Sequence, residues 1–330
     1  MVKTAAPRVT LRAVIVCILF FPALFSSCSL FGNDQFPGYL KYAVAKVDLG
    51  ALYQAEGLKE PVSVSRAFLT ADSGTGSRAF IFASSYEGSR LFVFDGATIK
   101  HVKTVQNNGL RSFLTVLPSG NYLCGGVELD AATLSIVSDT RPTISLSDSA
   151  RSFTDGVYLY VLYQDGAGLH CDRYDGAWNH LSSASVPPLS GFSTSSYQLL
   201  DAYHEASVSS KVRLLFSTYS GVRSVTFASV ADFLAAYGQV SLDLGSESVV
   251  ALPYFSDNGG WATRDGLIAL SYEQNSRVIR YSYDTGSELD DERLDSTNGD
   301  RRYYFDPSGY FRLFLDEDTE LLHLLRTWWK

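Results

Sequence analysis

The sequence predicts an all-β chain folded as a β-propeller of about six four-stranded blades, and three observations predict it. A stretch beginning at Arg66, RAFLTADSG, returns 45 positions later as RSFLTVLPSG beginning at Arg111. Six loosely matched units follow one another, each with a first strand, a Gly-containing turn and further strands. The last unit stops after three strands, while a strand-like segment near the start, Leu40 to Gly50, belongs to no unit. Periods of 40 to 50 residues built of short strands are the mark of a propeller. A seven-bladed ring and a pair of two-sheet sandwiches are the competing architectures.

The units justify themselves in order. The first runs RAFLT, SRAFIFASS, RLFVFDG and TIKHVKTV; the second RSFLT, NYLCGGVEL and AATLSIVSD; the third RSFTDG, VYLYVLYQ, LHCDRYDG and WNHLSSASV. The fourth has SYQLLDAYHE, KVRLLFSTY and VRSVTFA; the fifth GWATRDG, LIALSYE, SRVIRYSYDTG and ELDDERL; the sixth RRYYFDPSG, YFRLFLDE and ELLHLLRTWW. Second strands are expected to start near residues 78, 121, 157, 211, 267 and 309. The turns before them read SGTG, PSG, TDG, an irregular one, RDG and PSG, where Gly supplies the positive φ of tight turns. Alternating β-branched and aromatic flanks suit half-buried strands. Ser229 to Gly238, SVADFLAAYG, reads as a short helix capped by Ser229, and GALYQAEG near Ala51 as a second helical turn. An open propeller leaves a sheet edge exposed. The segment around residues 41–49 is therefore expected to close the ring as the outer strand of the last blade.

Before the fold comes a different kind of segment. Lys3, Arg8 and Arg12 form a positive start, followed by the 13-residue apolar run AVIVCILFFPALF and then SSC. That run is shorter than the roughly 20 residues that span a bilayer, and the pattern is that of an export signal. With Cys at the expected new N-terminus, FSSC resembles the lipobox of bacterial lipoproteins, in a relaxed form similar to that of spirochaetal ones, with Phe25 where Leu is usual. The resemblance implies cleavage before Cys28, a diacylglycerol on its thiol and stable anchoring once further acyl chains are added. The competing reading is an ordinary secretory signal with Cys28 a plain cysteine. The chain thus divides into a signal (residues 1–27), a tether (28–39) and the propeller (40–330), placed in the periplasm or at the cell surface.

The propeller units resemble, at a distance, the quinoprotein-type repeats of BamB-like assembly lipoproteins. The resemblance rests on LDAATLSIVSD and YDTGSELDD, which look like the Asp-x-x-Thr-Gly turn of those repeats. No Trp-Asp signature accompanies them.

Composition sets the partner classes. The net charge is −8, and loss of the signal removes three positive charges and no negative one, giving −11. An acidic protein lacks the basic face that phosphate backbones need, so no nucleic-acid partner is expected. Tyr and Phe at 20 each against a single Met favour strands. Cys124 and Cys171 remain after the signal and the lipidated Cys28 are set aside. An exported compartment permits a disulfide between them, whereas their strand-like surroundings favour two buried free thiols.

The candidate binding residues are Arg66, Arg111, Arg151 and Arg302, each at the start of an innermost strand. Arginines converging on a propeller channel would fork onto carboxylate or phosphate. The competing reading pairs each with an acid of the next blade. His170, Cys171 and His180 are the nearest thing to a metal set, but adjacent strand residues point to opposite faces, so no metal is expected. The acidic run SELDDERLDSTNGD lacks the alternation of a calcium loop. TADSGTG at Thr70 faintly resembles the Asp box of sialidases, and Trp261, Trp328 and Trp329 offer a sugar-stacking surface. With no nucleophile motif in view, no catalytic residue or cofactor is assigned. The expected function is binding or scaffolding of a protein, peptide or glycan; the alternative is a glycan-active or other small-molecule enzyme at the channel mouth.

Overall fold

The computed structural model of the chain describes residues 43–59, 62–70, 77–140, 150–165, 168–186, 197–205, 209–218, 221–236, 249–251, 260–271, 277–293, 301–309, 311–316 and 320–326. The signal, Cys28 and the tether lie outside the described residues, as do the core of the Asp-box stretch, Trp328 and Trp329.

Strand β1 (Ala43–Asp48) leads into helix α1 (Leu49–Ala55), whose start is capped by the Asp48 carboxylate accepting the Ala51 amide at 2.8 Å. Blade one is β2 (Ser63–Leu69), β3 (Arg78–Ser85), β4 (Gly88–Asp95) and β5 (His101–Val105). Blade two is β6 (Thr115–Val116), β7 (Tyr122–Cys124), β8 (Val127–Leu129) and β9 (Ile136–Ser138). Blade three is β10 (Arg151–Thr154), β11 (Leu159–Asp165), β12 (Gly168–Tyr174) and β13 (His180–Val186). Blade four is β14 (Tyr197–Glu205), β15 (Ser209–Thr218), β16 (Gly221–Phe227) and, after helix α2 (Val230–Ala235), β17 (Val249–Ala251). Blade five is β18 (Gly260–Ala262), β19 (Leu267–Ser271), β20 (Arg277–Tyr281) and β21 (Glu288–Arg293). Blade six is β22 (Arg301–Phe305), β23 (Phe311–Asp316) and β24 (Leu321–Arg326), completed by β1.

All six sheets are antiparallel and four-stranded, so the six-bladed reading holds and the sandwich alternative does not. The closure is as expected. Strand β1 pairs with β24, with Asp48 opposite Leu321, Val47 opposite Leu322 and Ala45 opposite Leu324. Helix α2 begins at the expected cap, Ser229, whose hydroxyl accepts the Asp232 amide at 3.1 Å.

The ring is held by six apolar seams, one between each pair of neighbouring blades. Phe80, Leu91 and Val93 meet Tyr122 and Leu129 between blades one and two. Leu159 and Val161 meet Phe113 and Leu123 between two and three, and Leu162 meets Leu199 and Leu214 between three and four. Leu215 meets Leu267 and Ala269, Ile268 meets Phe314, and Leu313 and Leu322 meet Ala79 and Phe92, closing the circle. Because strands alternate faces, each sheet is apolar on both sides and is sandwiched by its neighbours.

The turns joining third to fourth strands in blades one, two and five use one device. The Asp95 carboxylate accepts the amides of Ala97 and Thr98 and the Thr98 hydroxyl at 3.1, 2.9 and 2.8 Å. The Asp130 carboxylate does the same with Ala132 and Thr133, and Ser282 takes the role in blade five. The two stretches singled out in the sequence, LDAATL and YDTGS, are thus equivalent, and DGATI of blade one is a third copy. The residue after Thr is left-handed: Ile99 at φ 47°, Leu134 at φ 55°, Gly286 at φ 66°. Left-handed backbone costs a non-glycine residue roughly 1–2 kcal/mol. Ile99 and Leu134 are both only 1% exposed, and burying such a side chain contributes about 1.5–3 kcal/mol, enough to offset that cost.

His323 on β24 is buried, with its ring stacked 5.8 Å from that of Phe314. Burial lowers its pKa below the ordinary 6.5, Asp316 pulls the other way, and Lys46 adds to the lowering. The unfolded chain therefore takes up this proton first, and stability drains away as pH falls through about 6.5. His323→Phe is expected to flatten that part of the stability-against-pH curve, measured by denaturant unfolding between pH 7 and 5.

Candidate functional site

Innermost strands line the channel, and three of them repeat a pattern that includes one substitution of sign. Arg66, Arg151 and Arg302 each stand two residues before an aromatic, Phe68, Phe153 and Tyr304. In β14 the same place, two before Tyr203, is taken by Asp201. Each is paired across to the second strand of its blade: Arg66 with Phe82, Arg151 with Leu162, Asp201 with Leu215 and Arg302 with Leu315.

Asp201 organises this part of the channel. Its Oδ1 accepts its neighbour's amide, Ala202, at 2.9 Å, and its Oδ2 accepts the Ala262 amide of blade five at 2.8 Å. The Nε of Arg151 lies 3.9 Å from Oδ1, with side chains 19% and 23% exposed, and also donates to the Leu200 carbonyl. Arg151 Nη1 donates to the Ala150 carbonyl at 2.9 Å. Blades three, four and five are thereby tied by one arginine and one carboxylate. Burial pushes the Asp201 carboxyl above the usual carboxylate range; Arg151, the amides of Ala262 and Ala202, and Arg66 pull it back. Arg66 is thus within electrostatic reach of the same acid, and its guanidinium lies 5.0 Å from the Phe68 ring centre.

The four arginines do not form one cluster. Arg111 corrects the expected placement: β6 shrinks to two residues, Arg111 falls in the exposed loop before it, and its Nη1 donates to the carbonyls of Asn108 and Leu110 at 3.0 and 2.8 Å. For Arg302 the strand register is described, and its side chain lies outside the described residues. Sequence reasoning missed Asp201. The signal was available, since DAY repeats the charged-small-aromatic spacing of RAF and RSF with the charge inverted.

The other candidates separate. His170 and Cys171 do point to opposite faces: Cys171 joins the seam with blade four, while His170 accepts or donates through Nε2 to Asp165 at 2.9 Å and stacks on Tyr163. Cys124 and Cys171 are free and buried, so the disulfide alternative fails. Among the described residues no group of three His, Cys, Asp or Glu is placed to hold a metal ion. Ser183, His180 and Asp172 adjoin on blade three, but one nitrogen, His180 Nε2, faces both Ser183 Oγ at 2.8 Å and Asp172 Oδ1 at 3.9 Å. A proton relay needs the two ring nitrogens on different partners. In the acidic run, Asp290 is paired with Arg280. Trp261 is half-buried against Phe305, ring centres 4.9 Å apart.

No protein-family model matches the chain, and no curated protein matches it. Among solved structures it is similar to BamB from Moraxella catarrhalis, 15% identical over 78% of this chain and 72% of that one, with a TM-score of 0.35. It is similar also to the WD40 domain of Neurospora crassa Pan2 (10% identical, 87% and 95% covered, TM-score 0.49) and to Kluyveromyces lactis Hsv2 (10%, 81% and 75%, TM-score 0.40).

Proposed function

We propose that this chain is an exported, lipid-anchored propeller that binds or scaffolds a protein, peptide or glycan at the cell envelope, with no nucleic-acid partner. The observation that carries the reading is the channel bridge. Arg151 and Asp201 spend their charge tying three blades together, which leaves recognition to the rims. Six packed seams make the disc a rigid presenter of those rims. The anchor rests on the positive start, the short apolar run and Cys28. Topology adds an orientation. Within a blade the chain reverses three times, so the outer strand β1 starts at the face opposite to the one where innermost strands start. The chain therefore enters β1 at Ala43 on the face opposite to the one where Arg151 begins β10.

Mass spectrometry of the N-terminal peptide from native membranes tests the anchor. The expected species begins at Cys28 and carries the mass of a diacylglyceryl group, and Cys28→Ala moves the protein from the membrane pellet to the soluble fraction. An unmodified Cys28 inside a longer N-terminus would sink the anchor.

Burial raises the Asp201 carboxyl above the usual carboxylate range, and an acid raised in this way on an innermost strand favours a second reading, general-acid chemistry on a glycan. Turnover of a glycoside that disappears in Asp201→Asn would establish it over pure binding.

A further inference from the structure

One face of blade three carries a polar and aromatic group that the channel does not use. Strand register places Tyr163 beside His170, Val161 beside Asp172 and Ser183, and Leu159 beside Tyr174 and His180, all on the face turned to blade two. Asp172 is 7% exposed. Its Oδ2 accepts the Tyr174 hydroxyl at 3.3 Å, while its Oδ1, also buried, accepts no hydrogen bond. The nearest base, His180, is 3.9 Å away and engaged with Ser183. A buried carboxylate oxygen without a donor is costly, on the order of 1–3 kcal/mol or more, so a donor supplied from outside would be held strongly.

The surroundings say which donor. Tyr174 stacks on Trp178 at 4.2 Å and 10°, and Tyr163 stacks on His170 at 5.1 Å and 23°. Burial and the charges of Asp172 and Asp165 raise the Tyr163 pKa, so its ring also lies in the field of both carboxylates. The paired rows of this face hold two histidines and no Lys or Arg. Aromatic faces beside a carboxylate that, among the described residues of these strands, faces no Lys or Arg favour a cationic guest, through ring quadrupole and charge together. The His180 and Asp165 side chains, near opposite ends of this face, are 49% and 53% exposed.

We propose that the blade two–blade three face is a binding site for an organic cation, a guanidinium or primary ammonium group, which donates to Asp172 Oδ1 between the rings of Tyr163 and Tyr174. The inference does not depend on the lipid anchor or on the channel.

Calorimetric titration of the detergent-solubilised full chain tests it with three probes: argininamide, its neutral ureido counterpart citrullinamide, and spermidine. Argininamide is expected to bind, citrullinamide at least about tenfold more weakly, and Asp172→Asn to lose about tenfold or more, the worth of one charge-assisted hydrogen bond. Spermidine binding at equal or higher affinity than argininamide would point to free polyamines as the source, and weaker binding to a side chain of a protein. Asp172→Asn removes charge at constant shape, and its thermal midpoint is measured alongside so that loss of fold is not mistaken for loss of binding. Tyr163→Leu, which keeps Asp172, is expected to weaken argininamide as well. Equal binding of argininamide and citrullinamide, or binding indifferent to Asp172→Asn in a folded protein, overturns the proposal.

Discussion

Deleting residues 43–48 is expected to abolish cooperative folding. The strand Ala43–Asp48 is a fourth of blade six and the only part of that blade drawn from the other end of the chain. Its removal strips the edge of β24, where Leu322, Leu324 and Leu325 are fully buried, and uncouples Leu49, whose amide donates to the Glu320 carbonyl at 2.9 Å. Ala45 and Val47 pack on the same seam that joins blade six to blade one. Uncovering three or four apolar side chains at about 1.5–3 kcal/mol each takes most of the roughly 5–15 kcal/mol that holds a domain folded. The informative partner experiment is a permutation. Moving residues 40–49 behind residue 330 through a flexible linker restores the same pairing without the sequence separation, and its denaturant midpoint should return close to that of the parent. A truncated chain that melts like the full one, or a permutant no better than the truncation, would show that the seam is not held by this strand.

Much of this architecture was legible because the physics behind it is local. Gly120, Gly156 and Gly309 do take positive φ, at 88°, 90° and 75°, in the turns marked PSG, TDG and PSG. The strands that follow start within two residues of the expected positions. The closing strand was legible for a different reason: a three-stranded last unit and an orphan strand imply one another. What stayed hidden depended on contacts between units. The turn at Asp95 was missed because Ile99 occupies a left-handed position that sequence rules reserve for Gly or Asn, and only its burial explains why it is tolerated. Arg111 shared the repeated motif, yet the second blade's inner strand is too short to carry it to the channel. Asp201 was hidden because a search for repeated arginine passes over the one copy in which the charge is reversed. Asp172 offers no sequence signal, since its exposed-looking alternation conceals a face pressed against the neighbouring blade.

Arg151→Ala is expected to cost about 2–4 kcal/mol, because it leaves the mostly buried Asp201 carboxylate without its nearest cation and removes a donor to the Leu200 carbonyl. A double-mutant cycle isolates the pair. Asp201→Asn alone forfeits an acceptor for one of the two amides it holds, but in the Arg151→Ala background it should cost less or become stabilising, since it removes an uncompensated buried charge. The pH dependence gives a sign that packing loss alone would not produce. The folded Asp201 carboxyl already lies above its ordinary value, and loss of Arg151 raises it further. A group raised in this way favours the folded state while protonated, and that contribution disappears as pH climbs through the folded value. The deficit of Arg151→Ala should therefore shrink on acidification from pH 7 towards pH 4, and the shrinkage should be absent in the double variant. A channel arginine reserved for an anionic ligand predicts the opposite pattern, with an unchanged melting midpoint and lost affinity. The two outcomes separate an arginine that holds the ring together from one that waits for a guest.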